Sequence, residues 1–81
     1  MDLRPPFETE LCAGEGGGRY VLDCMPRVVG QGRFKPHLVV RTAGTREVLT
    51  DVELQAGPYA DAADAAEVAY IEGRGWVRMF G

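Results

Sequence analysis

Three side chains of this 81-residue sequence could carry out chemistry directly: the thiols of Cys12 and Cys24, and the imidazole of His37, the only histidine. The chain has no serine, which excludes a serine nucleophile. An activated thiolate needs partial exposure and a positive neighbour, whereas Cys24 lies on the apolar side of an alternating pattern. His37 is expected to form a surface pair with Asp51 rather than to act as a base. The sequence therefore predicts a protein that is not an enzyme.

The sequence also predicts neither a metal nor a cofactor. The acidic residues between 47 and 72 lack the spacing of a calcium loop. The glycine-rich stretches 14–18 and 30–32 lack the Lys-Ser/Thr that completes a phosphate-binding loop. The two cysteines lack metal-ligand spacing, and although a bridge between them is possible, we expect two free thiols. Cys24 should be buried and Cys12 should lie near an exposed turn.

Charge divides the chain into a basic segment followed by an acidic one. The net charge is −3, but residues 19–46 hold six Lys or Arg and one Asp, and residues 47–72 hold seven Asp or Glu and no Lys or Arg. Such asymmetry indicates either a binding patch or internal pairing. Lys35 is the only lysine, and Ala, Gly, Val and Arg dominate, as in proteins from GC-rich genomes. The arginines are therefore weak evidence for nucleic acid.

The strand pattern is clearest in residues 33–42, where Phe34, Pro36, Leu38 and Val40 alternate with mostly basic residues. Residues 20–28 and 46–54 alternate in the same way, and 7–12 fits a short edge strand folded back through the glycine-rich turn. Pro26 and Pro36 require a strand end, an edge or a bulge. The strand predicted over residues 46–54 is expected to direct four side chains toward the core: Val48, Thr50, Val52 and Leu54.

One helix is predicted over residues 59–72. Asp61 is a suitable N-cap, and a stripe of small residues at helical spacing should face the sheet, namely Ala62, Ala65, Ala66, Ala69, Tyr70 and Gly73. Gly73 and Gly75 are expected to end the helix, leaving residues 76–80 as a last short strand or a docked tail. The predicted fold class is α+β: an antiparallel sheet of three to four strands with one helix across one face, in the order (β)βββα(β).

The expected register of the strands places an apolar stripe on the face of the sheet opposite the helix. Closing a three-residue turn at 43–45 pairs Arg41 with Glu47, His37 with Asp51 and Lys35 with Glu53, and sets Val39 against Leu49. Because a contiguous exposed apolar stripe suggests a covered surface, this face is the candidate interaction surface: Val21, Met25, Val39 and Leu49. Phe7 and Leu11 are expected to cover it, or else another copy of the chain.

The leading interpretation is a small non-enzymatic protein that self-associates or binds another protein, with a homodimer as the expected partner state. The alternative is a nucleic-acid-binding protein whose sheet presents basic residues: Arg27, Arg33, Lys35 and Arg41. The alternative is weaker, because acidic residues on the neighbouring strand should neutralise that face and the overall charge is negative.

Three segments, YVLDCMP, GRFKPHLVV and DAADAAEVAYIEGRGWV, together resemble small uncharacterised bacterial proteins with three strands and a helix. The resemblance covers residues 20–77 and implies the fold and a bacterial origin, with no activity and no site residues. A single domain over 1–81 is expected, with residues 1–6 as a flexible arm. The first residues lack the pattern of a secretory signal, and no apolar run approaches the length of a membrane span. We therefore expect a cytoplasmic protein.

Overall fold

The computed structural model describes residues 7–12 and 18–80, which form an antiparallel four-stranded sheet and one C-terminal helix. The predicted α+β class is confirmed. The elements are β1 (Glu8–Cys12), β2 (Arg19–Asp23), β3 (Arg27–Val28), β4 (Phe34–Lys35), β5 (His37–Thr42), β6 (Val48–Glu53) and α1 (Ala62–Phe80). The main sheet has the order β1-β2-β5-β6, while β3 and β4 form a separate small ladder. The proposed arm 1–6, and most of the glycine-rich turn, lie outside the described residues.

The first strand forms the predicted hairpin with β2, but its apolar side chains face the helix. Glu8 pairs with Asp23 and Cys12 with Arg19, and the Cys24 amide donates to the Phe7 carbonyl at 2.9 Å. Phe7 belongs to the core cluster and Leu11 packs against it. The expectation that these two residues cover the opposite face is therefore wrong. Alternation sends Glu8 and Glu10 to that face instead.

Both prolines interrupt strand pairing, as predicted. Pro26 separates β2 from β3, and Pro36 separates β4 from β5. Each side chain is buried. Although Pro36 has no N–H to donate, its carbonyl still accepts a hydrogen bond from the Leu54 amide at 3.0 Å. The strand predicted over 33–42 is thus two strands that meet at a buried proline.

The pairing of β5 with β6 differs from the predicted register by two residues. Leu38 pairs with Val52 and Val40 with Thr50, and a bulge follows at Val40/Arg41. The reason lies in the turn. The Thr42 hydroxyl accepts a hydrogen bond from the Glu47 amide at 3.1 Å, so the chain closes a longer turn than the three residues expected. The predicted pairings of Arg41 with Glu47, Lys35 with Glu53 and Val39 with Leu49 are therefore wrong.

The helix has the predicted N-cap, but it begins at Ala62 rather than at residue 59 and ends later than predicted. The Asp61 carboxylate accepts a hydrogen bond from the Ala63 amide at 2.9 Å, as an N-cap does. The helix then continues through Gly73 and Gly75 to Phe80, so residues 76–80 are neither a strand nor a tail. A Cβ on Gly73 would lie 2.8 Å from Leu22 Cδ1. This glycine is therefore a point of close approach between helix and sheet, not a stop.

The core lies between α1 and the two central strands. Leu22 lies on β2 and Cys24 directly follows it, Leu38 and Val40 lie on β5, and the predicted helix stripe packs over them. The helix contacts β5, β2 and β4 and leaves β6 largely uncovered. As a result Val52, which pairs with the core residue Leu38, is 40% exposed, whereas Val48 lies beyond the bulge opposite Arg41 and is 51% exposed. The prediction that these two residues face the core is wrong, whereas Leu54 does pack against it.

Candidate interaction surface

The strand β6 forms one edge of the main sheet. Within residues 7–12 and 18–80, β5 is the only strand that pairs with it. Its six residues, VLTDVE, include three partly exposed apolar side chains and, at Asp51 and Glu53, two acidic ones. The outer side of an edge strand presents a row of free N–H and C=O groups that another chain can pair with. The name edge surface is used below for β6 together with Leu54.

The hydrogen-bond pattern shows which backbone groups of the edge surface point outward. The Leu54 amide donates a hydrogen bond to the carbonyl of Pro36, the residue that directly precedes β5. Since alternate residues of a strand donate to opposite sides, the amides of Val52 and Thr50 also face β5. Asp51 and Glu53 therefore direct their N–H and C=O groups away from the sheet, where a further strand can reach them.

The side chains of the edge surface combine apolar contact area with negative charge. Val52 is 40% exposed on the helix side, and Leu49 is 38% exposed near the bulge. The Asp51 side chain is 60% exposed even though one oxygen contacts His37. Glu53 retains 38% exposure while it pairs with Arg27. A strand that fits here needs apolar residues and basic residues in alternation.

The predicted apolar stripe on the opposite face is only partly exposed. Val21 and Val39 are 5% and 6% exposed, so they contribute no free contact area. Met25 and Leu49 remain 44% and 38% exposed. The expectation of a contiguous exposed stripe is corrected accordingly. The described chain itself buries the two valines, and their ladder partners on the same face are charged: Val21 pairs with Arg41 and Val39 with Asp23.

Ion pairs lie on the same face as the two buried valines. Arg41 contacts Asp23 at 3.3 Å, and both side chains are about one quarter exposed. Arg19 contacts Glu10 at 3.3 Å. Arg46, in the turn after β5, reaches Glu8 on β1 at 3.4 Å. Since β2 lies between β5 and β1, the Arg46 side chain crosses over β2, where the methylene groups of an arginine can cover an apolar neighbour.

The four basic residues of the nucleic-acid alternative do not form one free patch. Arg27 contacts Glu53 at 3.2 Å, and Arg41 is the partner of Asp23. Arg33 is exposed in the loop before β4, and Lys35 is half-buried opposite Arg27 in the β3–β4 ladder. Two of the four charges are thus compensated by carboxylates, which lowers the electrostatic attraction for phosphates.

His37 forms the predicted contact with Asp51, with Nε2 and Oδ1 2.6 Å apart. The two residues are diagonal neighbours rather than direct partners, because His37 pairs with Glu53 in the ladder. A diagonal pair is within reach of such side chains. The contact was thus predicted correctly from an incorrect register, and it lies at the surface of the sheet.

The two thiols differ as the sequence predicts: Cys12 is exposed, Cys24 is buried, and both are free. Burial, and to a smaller extent the negative charge of Asp23, raise the pKa of the Cys24 thiol from 9.0 to about 12. At neutral pH this thiol is protonated and behaves as a small apolar side chain.

Within the part of the chain that the structure describes, no group of three or more His, Cys, Asp or Glu side chains could hold a metal ion. The same residues include no helix long and apolar enough to cross a membrane.

Comparisons with protein-family models, with curated proteins and with solved structures find no match to this chain.

Sequence reasoning missed the exposed part of β6. The signal that could have revealed it is the number of strands that one helix is wide enough to cover. A helix is about 10 Å across, and strands lie about 4.8 Å apart. One helix therefore covers about two strands, and an Ala-rich stripe brings it close to the two central ones. The helix-side apolar residue of an outer strand, Val52, should then have been assigned to the surface.

Proposed function

We propose that this chain is a small non-enzymatic protein-interaction module whose edge surface receives an extended strand of a partner protein. The observation that carries the proposal is the combination at β6 of outward-pointing backbone groups, at Asp51 and Glu53, with a 40% exposed Val52. Addition of a strand to an exposed sheet edge is a common mode of peptide recognition, in which backbone hydrogen bonds give affinity and alternate side chains give specificity.

The chemistry of the edge surface defines the partner segment. Asp51 and Glu53 favour basic residues at alternate positions, and Val52 favours an apolar residue between them. A second β6 is a poor occupant, because it would bring further acidic side chains to an acidic strand. The partner is therefore a strand of alternating basic and apolar residues, belonging to a different protein.

Two further observations support a role in binding rather than catalysis. The Cys24 thiol is buried and protonated, and His37 is held by Asp51 at the surface. Nucleic-acid binding has less support, because Arg27 and Arg41 are already paired with carboxylates. A cytoplasmic location and a bacterial origin remain part of the proposal.

The proposal is tested with an eight-residue peptide of alternating Lys and Val and a control peptide that groups the same residues in two blocks. Fluorescence anisotropy should show binding of the alternating peptide only. Val52→Thr keeps strand propensity and removes apolar contact, so it should weaken binding by about threefold to tenfold. Asp51→Lys should weaken it by a similar factor.

Matched controls separate the edge surface from general attraction to an acidic protein. Val28→Thr alters a 67% exposed valine of β3, and Glu72→Lys reverses an exposed charge on the helix. Neither should change the affinity by more than about twofold. Equal binding of both peptides, or equal losses in the β6 variants and their controls, would show that the edge surface is not the binding site.

A further inference from the structure

The outward face of α1 carries a second surface that the edge surface does not explain. Ile71 and Met79 are 62% and 76% exposed, and they lie one helical turn before and after Gly75. A shallow groove of about 340 Å³ lies here, lined by Ile71, Arg74, Gly75 and Arg78. The groove faces away from the sheet, because the buried stripe that includes Gly73 and Val77 lies on the opposite side of the helix.

Among residues 7–12 and 18–80, no contact explains Gly75. A Cβ built on it meets none of these residues within 4 Å and its φ is not positive, whereas a Cβ on Gly73 would press on the side chains of Leu22 and Leu38. A glycine in a helix interior costs about 1 kcal/mol relative to alanine. Small residues on a helix surface allow the backbone of another element to approach closely. Gly75 therefore marks a point where something else fits against α1.

Charge on the outward face identifies the occupant. The first half of this face is acidic, with Asp64 and Glu67 exposed, and the second half is net basic, with Arg74 and Arg78 exposed beside one acidic residue, Glu72. Two copies of such a helix attract each other when they run antiparallel, because each acidic half then lies against a basic half. The opposed helix dipoles favour the same orientation. We propose that the outward face of α1 binds the same face of a second copy in an antiparallel homodimer.

Helical geometry gives the register of this contact. With a two-fold axis level with Gly73, Ile71 of each copy lies opposite Gly75 of the other. The isoleucine side chain of each copy then fits into the notch that the missing side chain of Gly75 leaves on the other copy. At 100° per residue, Glu67 and Arg78 lie on one side of the line that joins Ile71 and Gly75 along the helix surface. The half-buried Val68 and the exposed Met79 lie on the other. The pairs formed across the axis are thus Glu67 with Arg78, and Val68 with Met79.

Two crossing helices bury less than the roughly 1,200 Å² of total surface typical of stable complexes. We therefore expect a weak dimer with a dissociation constant of about 10–100 µM. Sedimentation equilibrium between about 5 and 500 µM should show this association. Gly75→Gln fills the notch with a good helix former and no charge, and should abolish the dimer while circular dichroism shows the helix unchanged.

Charge reversal tests the register. Glu67→Arg and Arg78→Glu should each weaken the dimer by about tenfold, because each replaces two attractions with two repulsions by symmetry. The double variant exchanges the charges and should restore the wild-type affinity to within about threefold. Glu47→Arg and Arg33→Glu reverse exposed charges away from the helix and should leave the dimer unchanged.

This inference is independent of the edge surface. Val52→Thr should not change the dimer, and Gly75→Gln should not change binding of the alternating peptide, so each proposal fails by its own variants. A chain that remains monomeric at 500 µM overturns the dimer. A double charge-reversal variant no better than the single variants overturns the antiparallel register.

Discussion

Cys24 shows at the scale of one residue how the fold changes chemistry. The residue follows β2 and lies fully buried beneath α1, beside the negative charge of Asp23. Removal from water disfavours the thiolate, and the nearby carboxylate disfavours it further. The sequence predicted burial from the alternation of residues 20–28. A thiol in such a place contributes to packing, and its protonation is linked to folding.

Stability should therefore fall with pH in the range where the unfolded chain loses this proton and the folded chain keeps it. The folded-state pKa is about 12, against an ordinary value of 9.0. The contribution of Cys24 is fully present below pH 9 and is lost as pH rises toward 12. Urea unfolding between pH 7 and pH 10.5 should show a decline that approaches about 1.4 kcal/mol per pH unit above pH 9.

The variant Cys24→Ala should lack this decline, whatever its stability at neutral pH, because no proton is then linked to folding at that site. Cys12→Ala removes an exposed thiol and should follow the wild-type curve. Parallel curves for wild type and Cys24→Ala would contradict the burial of this thiol.

At the scale of the element, α1 shows where sequence signals are sufficient and where they are not. Asp61 as N-cap and the small-residue stripe were both predicted correctly, since capping and helical spacing are local properties. The C-terminal end was not, because two glycines near each other resemble a stop. Whether Gly73 ends a helix or allows close packing depends on Leu22 and Leu38, which are distant in sequence.

The same two glycines give a matched pair of substitutions with opposite expected effects. Gly75→Ala should raise the free energy of unfolding by about 0.5–1 kcal/mol, because helix propensity improves and nothing obstructs the new methyl group. Gly73→Ala gains the same propensity but places its Cβ 2.8 Å from Leu22 Cδ1. We expect overpacking of about 1–3 kcal/mol to outweigh the gain.

Thermal or urea unfolding at low micromolar concentration, where dimer formation is negligible, measures both effects. Gly75→Ala should unfold at a higher midpoint than wild type and Gly73→Ala at a lower one. The account of the helix is contradicted if Gly73→Ala is the more stable of the two variants.

The pairing of β5 with β6 could be predicted only in part from the sequence. For residues 37–40, odd residues meet odd residues and even residues meet even ones as predicted, because one apolar face requires it. The register was wrong by two residues, because the sequence did not reveal that Thr42 would bind the Glu47 amide and lengthen the turn. The bulge at Val40/Arg41 is a further consequence that alternation alone cannot indicate.

At the scale of the whole molecule, the charge asymmetry is resolved mainly within the sheet. Basic residues of 19–46 were expected to pair with the acidic strand that follows. His37 and Arg27 do so, with Asp51 and Glu53. Three other arginines instead contact carboxylates of β1 and β2: Arg19, Arg41 and Arg46. Strand order could not be read from the sequence, and it is what brings Asp23 of β2 within reach of Arg41.

The central claim is that β6 is an open edge that receives a partner strand. Amide hydrogen exchange tests it most directly, read residue by residue with and without the alternating Lys–Val peptide. In the free chain the Val52 amide, which faces β5, should exchange slowly, while those of Asp51 and Glu53 exchange quickly. Saturating peptide should slow exchange at Asp51 and Glu53 by at least about tenfold and leave α1 unchanged. Protection at these two amides in the dilute free chain, or no added protection with bound peptide, would contradict the claim.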